Sequence, residues 1–153
     1  MARIEDIPEP TRQALLGLRC TTFDDRPFVA GPPLAQRQVA IVSSAALHRR
    51  GSPPFMPGSG GMRKLPADLP AGEIVTSHLS INYDRSGWQR DINTIYPLDR
   101  LRELAAAGVI GAVAPTHYSV MGATDPMGMR TAVEQIVGQL RQERSDAVLF
   151  SPV

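Results

Sequence analysis

The chain contains three histidines, His48, His78 and His117, and each one follows a stretch that predicts a β-strand. Two acidic residues, Asp84 and Asp91, lie in a polar segment shortly after His78. Ligand sites in open parallel sheets form outside the carboxyl ends of the strands, so we expect these five side chains at one edge of a sheet. Imidazole exchanges protons near neutral pH, which makes the histidines catalytic candidates and the two carboxylates their orienting partners.

The same residue types allow other chemistry. Three imidazoles with a carboxylate suit zinc, but these histidines are spaced too widely for a compact ligand motif, and we predict no metal site. A metal-assisted or acid–base enzyme nevertheless stays an alternative function.

His48, Arg49 and Arg50 could instead bind a small anion near a helix N-terminus. Cys20 lies away from the predicted strand ends, and we expect a structural role for it.

The elements that would position these residues alternate between strands and helices. Continuous apolar runs predict buried strands at residues 39–42, 74–76, 109–114 and 147–150. One helix is expected to begin at Pro97 and end at Gly108, and a second to begin at Asp125-Pro126. This order predicts an α/β fold with three layers and a mostly parallel sheet of about four strands, of the Rossmann or flavodoxin-like type.

The rest of the chain is irregular in its sequence pattern. Residues 1–36 are expected to form an irregular N-terminal arm with a short helix at 11–18, and residues 37–153 the α/β domain. Residues 51–72 are so rich in glycine and proline that no regular element should persist through them. A loop of that length in a compact domain is more often a lid or binding loop than an idle connection.

Composition limits the kind of protein. With 153 residues the chain suits one domain, and its formal charge of +1 gives no reason to expect nucleic acid or an anionic membrane as a partner. The single cysteine excludes an internal disulfide, and no apolar run approaches the roughly 20 residues that a membrane helix needs. The first residues do not resemble a signal peptide, and we expect a cytoplasmic protein.

One long segment resembles a known family. Residues 36–153 are similar to the selenoprotein B family of the glycine, sarcosine, betaine and D-proline reductases. The motifs that carry this resemblance are Ser77-His78, Asp84, Asp91-Ile92-Asn93, the run from Pro97 to Arg102, Ala114-Pro115, Met121-Gly122 and the ending AVLFSPV. A polar segment of this length is not produced by core periodicity alone, which makes the resemblance specific.

The resemblance implies an activity. A selenol or thiol would cleave a C–N bond of an amino acid or betaine-type substrate, and a thioredoxin-like or other dithiol reductant would recycle it. In related systems a separate pyruvoyl-bearing subunit activates the amine, so such a partner is allowed here. The roles of single residues follow from their placement and not from the resemblance, and on that ground His48, His78 and His117 are the candidates for proton transfer. Residues expected to support the substrate or the loop are Asn93, Arg100, Tyr118, Met121 and Gly122.

The resemblance also points to a missing group. In the family a selenocysteine or cysteine motif directly follows the strand that resembles residues 147–153, and a further helix and strand follow the motif. We therefore expect selenocysteine immediately after Val153, encoded by a UGA codon that is normally read as a stop. As written, the chain holds no cofactor and should be inactive. The alternatives are a shortened paralogue or a non-catalytic subunit of a reductase complex, and an open strand edge could pair two copies of the chain.

Overall fold

The computed structural model describes residues 3–17, 24, 28–81 and 83–153. The chain divides into two compact units, Met1–Ala30 and Gly31–Val153. In the first unit helix α1 spans Glu9–Leu16, close to the helix expected at 11–18. Cys20 lies outside the described residues, so its expected role stays a prediction.

The second unit contains the sheet and its helices. The strands β1 to β7 span Gln38–Ser43, Leu47–Arg49, Met62–Pro66, Ile74–Thr76, Ala112–Val113, Thr116–Val120 and Ala147–Ser151. The helices α2, α3 and α4 span Ser86–Arg90, Leu98–Ala106 and Arg130–Gln142. Among the residues that the structure describes, no helix is both long and apolar enough to cross a membrane.

The main sheet is built around β1. Val39 pairs with both Val113 and Ala147, so β5 and β7 lie on opposite sides of β1. Towards the end of β1, its neighbour on the β5 side is β6. All three neighbouring strands, β5, β6 and β7, run parallel to β1. Strand β3 adds an antiparallel edge to β6. The structure thus confirms the α/β class and the mostly parallel sheet.

Apolar side chains of β1 alternate between the two faces of the sheet. Val39 and Ile41 pack in one core cluster with α3, in which Leu98 and Leu101 are buried. Ala40 belongs to a second core cluster, in which Ile136 and Leu140 of α4 are buried. A strand with cores on both faces has a continuous apolar sequence, because successive side chains pack against opposite cores.

The predicted helix ends are confirmed. Pro97 precedes α3, and Gly108 follows it with a φ of 69°, a left-handed conformation that glycine adopts without a steric penalty. The Asp125 side chain accepts a hydrogen bond from the Met127 N–H at 3.0 Å. That cap begins a 3₁₀ turn at Pro126, which leads directly into α4.

The predicted strand at 109–114 is mostly wrong. Only Ala112–Val113 is a strand, and Pro115, which has no N–H to donate, separates it from β6. The Ile41 N–H of β1 opposite this break donates instead to Nδ1 of His117 at 2.9 Å. An imidazole therefore takes the place of a backbone acceptor in the ladder.

Residues Ile74–Thr76 form a strand, as expected, but the prediction that this strand belongs to the parallel sheet is wrong. It is β4, and it pairs antiparallel with β2 in a separate two-stranded sheet. The chain leaves β1 through Ala46, whose φ of 52° lies in the left-handed region. Residues 47–49 are thereby directed out of the main sheet, and His48 lies inside β2 rather than at the end of a parallel strand.

The expectation of an unbroken loop at 51–72 is also wrong. Met62–Pro66 forms β3, which pairs with all five residues of β6. The only local signal against a strand was the density of glycine and proline around it. Long-range pairing with β6 overrides that weak local preference.

Gly122 is predicted to tolerate no side chain. Its N–H donates to the Ser44 carbonyl oxygen at 2.9 Å, and a Cβ at this position would lie 2.9 Å from that oxygen and 3.0 Å from the Ser44 Cβ. Gly122→Ala should therefore lower the free energy of unfolding by about 1–3 kcal/mol, measured in urea.

Gly138 in α4 supplies the matched control, because nothing lies within 4 Å of a Cβ built there. Gly138→Ala should raise the free energy of unfolding by about 0.5–1 kcal/mol, since alanine favours a helix interior. Equal effects of the two substitutions would contradict the close approach of Gly122 to Ser44.

Candidate functional site

A row of serines crosses the carboxyl end of the main sheet. Ser43 of β1 is in register with Ser119 of β6 and with Ser151 of β7. The Ser43 and Ser151 hydroxyls both donate to the Ile95 carbonyl oxygen, at 2.8 and 2.9 Å. Ser119 donates to the Ser43 carbonyl at 3.1 Å and accepts from the Leu47 N–H at 2.7 Å. The two bonds to Ile95 attach the polar segment around it to the sheet edge.

Sequence reasoning missed this row. Ser43 and Ser151 each follow an apolar strand directly, and Ser119 lies within a strand that the sequence did not predict. The available signal was the repetition of serine at the end of two apolar runs.

A cleft of about 330 Å³ lies beside Ile95. Its lining residues are Tyr83, Asp84, Gly87, Trp88, Thr94, Ile95 and Val153. Val153 is held there because its N–H donates to Oγ of Ser44 at 2.9 Å. The cleft combines a carboxylate, a threonine hydroxyl and two aromatic side chains with the end of the segment that follows β7, and we take it as the candidate site.

His78 adjoins this cleft through Tyr83. The two ring centres are 4.7 Å apart, and Tyr83 itself lines the cleft. His78 is only 7% exposed, and its Nδ1 accepts a hydrogen bond from the Ser80 N–H at 3.2 Å. Burial, with a smaller contribution from the Arg85 charge, lowers the pKa of His78 below its ordinary value. The imidazole is therefore neutral at pH 7 and carries its proton on Nε2.

His117 has a different environment. It is fully buried in β6, and its ring makes an edge contact with the Tyr96 ring at 5.6 Å between centres. Burial, with a smaller contribution from the Arg102 charge, lowers the pKa of His117 to about 4. Since Nδ1 already accepts the Ile41 N–H, the geometry gives this histidine a part in completing the sheet.

His48 lies in β2 and is also buried. Its Nδ1 is 3.1 Å from the Arg49 carbonyl oxygen and 3.3 Å from Oγ of Ser52. The neighbouring cations have partners, because Arg49 forms an ion pair with Glu73 at 3.7 Å and Arg50 donates to the Gly72 carbonyl at 3.2 Å. The three histidines thus lie in β2, after β4 and within β6, and the expected placement at three parallel strand ends is wrong.

The two candidate carboxylates also separate. Asp84 lines the cleft and accepts a hydrogen bond from the Ser86 N–H at 2.8 Å, which lowers its pKa. Asp91 caps the turn Ile92–Thr94 instead, and the backbone N–H of Asn93 lowers its pKa in the same way. Asp84 is therefore the carboxylate that the structure places at the cleft.

The residues expected to support the substrate or the loop lie in different parts of the structure. Asn93 accepts from the Asp99 N–H at 3.1 Å and donates to the Asp91 carboxylate at 2.9 Å, which joins the polar segment to the start of α3. Arg100 forms an exposed ion pair with Glu103 at 2.6 Å. Tyr118 is fully buried, and burial raises the pKa of its hydroxyl to about 12. Met121 packs in a small core cluster with Phe55.

The described residues were also compared with two other kinds of site, a metal centre and an apolar cleft. Within the described residues, no group of three or more His, Cys, Asp or Glu side chains is arranged to hold a metal ion. A second cleft of about 330 Å³ lies between α4 and the sheet, and its lining is apolar apart from Ser44 and Ser151. An apolar surface of this kind is typical of contacts with other polypeptide rather than of acid–base chemistry.

The chain belongs to a known family. Residues 61–152 match the family described as glycine/sarcosine/betaine reductase selenoprotein B. The chain is a member of that family, which confirms the resemblance seen in the sequence. No solved structure matches it.

Two curated relatives are similar over most of this chain. The D-proline reductase subunit gamma of Acetoanaerobium sticklandii is 33% identical over 122 residues, which cover 77% of this chain and 49% of the relative. The glycine reductase complex component B subunit gamma of Symbiobacterium thermophilum is 27% identical over 140 residues, which cover 85% of this chain and 32% of the relative. The chain thus spans about half the length of the first relative and a third of the second.

The bond from Ile41 to His117 predicts a pH dependence of stability. Protonation of Nδ1 would abolish that bond, and the folded pKa of about 4 is below the ordinary value of 6.5. The unfolded chain therefore binds more protons between these values, and stability falls as the pH is lowered through this window. The free energy of unfolding, measured in urea at a series of pH values, should fall by roughly 3 kcal/mol in total. The slope corresponds to about 1.4 kcal/mol per pH unit.

His117→Asn is the test variant, because an amide oxygen can accept the Ile41 N–H without titrating in this range. The variant should lose much of the decline in stability between about pH 6.5 and pH 4. An unchanged pH profile would show that His117 does not carry the dependence.

Proposed function

We propose that this chain is part of a selenol- or thiol-dependent reductase that cleaves the C–N bond of an amino acid or betaine-type substrate. Its family membership and the names of the two relatives support this reading. The observation that carries the proposal is the cleft at the carboxyl end of the sheet, whose lining includes both Asp84 and Val153. The working form is proposed to be a complex with other subunits.

The redox group is proposed to be a selenocysteine or cysteine that directly follows Val153 in the active protein. Val153 lines the cleft and is held by Oγ of Ser44, so a residue joined to its carbonyl would begin at the cleft wall. Such a group would supply an anionic nucleophile for the carbon that bears the amine. Without it, we expect no turnover from the 153-residue chain.

The net reaction is proposed as a two-electron reduction. The C–N bond breaks, and a dithiol provides two electrons and two protons as it is oxidised to a disulfide. One proton and the two electrons form the new C–H bond, and the other proton is taken up by the nitrogen of the broken bond. A thioredoxin-like protein or a small dithiol can act as this reductant, and a pyruvoyl-bearing subunit is a candidate partner for activating the amine.

The residues of this chain then take separate roles. Asp84 is proposed to attract the substrate ammonium, because its carboxylate lines the cleft and its lowered pKa keeps it ionised. His78 is the proposed proton-transfer residue, since it alone of the three histidines contacts a cleft residue through its ring. His48 and His117 are proposed to have structural roles.

The experiment is to express the gene through the codon that follows Val153, decoded as selenocysteine or cysteine, together with its partner subunits. With dithiothreitol as reductant, amine release is measured from glycine, N-methylglycine and trimethylglycine. Ring opening of D-proline is measured as formation of 5-aminopentanoate, because its nitrogen stays attached to the carbon chain. We expect C–N cleavage of at least one of these substrates. Asp84→Asn should raise the KM for that substrate by about tenfold, since a charge-assisted contact is lost.

Serine at the same codon is the matched control, because it preserves the length of the chain and removes the redox group. That variant should release no amine. Equal release by the serine form, or a gene with an ordinary stop after Val153 and no open frame beyond it, would overturn the proposal.

A further inference from the structure

We propose that the outer edge of β7 is the surface through which two copies of this chain pair about a twofold axis. β7 is an apolar strand that borders the second, apolar cleft, between α4 and the sheet. The inference goes beyond the proposed function, because it concerns a different surface from the cleft beside Ile95.

One side of β7 has no neighbouring strand within the described residues, since β7 pairs with β1 alone. The Ser44 N–H donates to the Ser151 carbonyl oxygen at 3.1 Å, so the backbone polar groups of Ser151 face β1. These groups alternate in direction along a strand, and those of Val148 and Phe150 therefore face outwards. Their N–H and C=O groups are left to bind another strand.

The sequence of β7 does not oppose such pairing. Natural sheets protect their edge strands with charged residues and proline. β3, at the opposite edge of the sheet, contains Arg63, Lys64 and Pro66, whereas β7 contains no charged residue and no proline. Phe150 at the open edge is 72% exposed. The contrast identifies β7 as the edge to which another strand is added.

An antiparallel register centred on Leu149 suits the free backbone groups. In that register Val148 of one copy lies opposite Phe150 of the other, and the two residues exchange both of their backbone hydrogen bonds. The twofold axis generates the same pair again. An interface of this kind uses the same residues on both sides and closes after two copies, so it does not extend into a fibre.

The apolar cleft gives the second copy a place to bury its phenylalanine. Val133 and Val137 of α4 line this cleft together with Val148 and Phe150 of β7. The axis is perpendicular to the sheet, which keeps the α4 helices of both copies on the same face. Phe150 of the second copy then lies beside Val148 at the cleft, and its ring packs towards the two valines of α4. Burial of both rings adds a hydrophobic contribution to the backbone hydrogen bonds.

The charges of α4 are complementary under the same axis. α4 joins the parallel strands β6 and β7 and runs antiparallel to both, so the α4 helices of the two copies run antiparallel to each other. Glu134 and Arg141 are exposed about one turn to either side of Val137, and neither has an ion-pair partner among the described residues. Glu134 of one copy would therefore face Arg141 of the other.

A cysteine on the axis tests the register. The two Leu149 residues form a pair without backbone hydrogen bonds, with Cα atoms about 4.5 Å apart, which is within the range of a disulfide. Leu149→Cys is combined with Cys20→Ser, so that the introduced thiol is the only one in the chain. Mild oxidation should convert most of this variant to a covalent dimer on a non-reducing gel. Lys64→Cys in the same background, at an exposed position of β3, is the matched control and should stay uncrosslinked.

Sedimentation velocity tests the surface without a cross-link. The 153-residue chain should sediment with twice the mass of one chain at concentrations in the tens of micromolar. Phe150→Lys should weaken the dimer by about tenfold or more, because the buried ring is lost. Phe28→Lys is the matched control, since Phe28 is 93% exposed and lies in the other unit, and it should leave the dimer unchanged.

A charge exchange tests the position of α4 in the dimer. Glu134→Arg should weaken the dimer by about fivefold, since it replaces each attractive pair with a repulsive one. The double variant Glu134→Arg with Arg141→Glu should restore the affinity of the parent chain.

Residues beyond Val153 in a longer gene product are the competing occupant of this edge. The product expressed through the codon after Val153 is therefore sedimented as well, and it should form a dimer that Phe150→Lys weakens. A monomeric long product would assign the edge to its own later residues and overturn the inference.

Three results on the 153-residue chain would also overturn it. These are a monomer, a dimer that Phe150→Lys does not weaken, and equal cross-linking of Leu149→Cys and Lys64→Cys. The requirement of C–N cleavage for the redox group is measured separately, so a failure of this inference leaves the proposed function as it stands.

Discussion

The Ile95 carbonyl is the point on which the candidate site depends. It accepts the hydroxyls of Ser43 and Ser151, which lie at the ends of adjacent parallel strands. Two strands fixed by a ladder therefore fix the polar segment, and that segment carries Tyr83 and Trp88 to the cleft. A loop tied to a rigid sheet edge can hold side chains in a defined geometry, which a free loop does not do.

The sheet itself depends on a side chain where its backbone is interrupted. Pro115 breaks the path from β5 to β6, and the His117 imidazole accepts the Ile41 N–H that the break would leave unpaired. A buried N–H without an acceptor is costly, so the two features belong together. A histidine that appears catalytic by residue type is thus best explained here by the needs of the backbone.

The predictable parts of the fold were those with strong local patterns. β1 and β7 are apolar runs, and α3 and α4 carry proline, aspartate and glycine signals at their ends. β3 and the pairing of β2 with β4 were not predictable, because their stability comes from partners distant in sequence. At the site, Asp84 and His78 were identified beforehand, whereas Trp88 was not, since a lone tryptophan in a polar segment has no periodic signal.

The sequence by itself determined the α/β class, the central strand, the two main helices and the family, because each is encoded in local periodicity, helix caps or a long run of shared motifs. Only the tertiary structure decided which polar residues meet. Left-handed Ala46 directs His48 into a second sheet, and the broken strand directs His117 into the core. The backbone angle at Ala46 has no signature in residue type or spacing. Pro115 is visible in the sequence, but it does not reveal which side chain accepts the Ile41 N–H at the break.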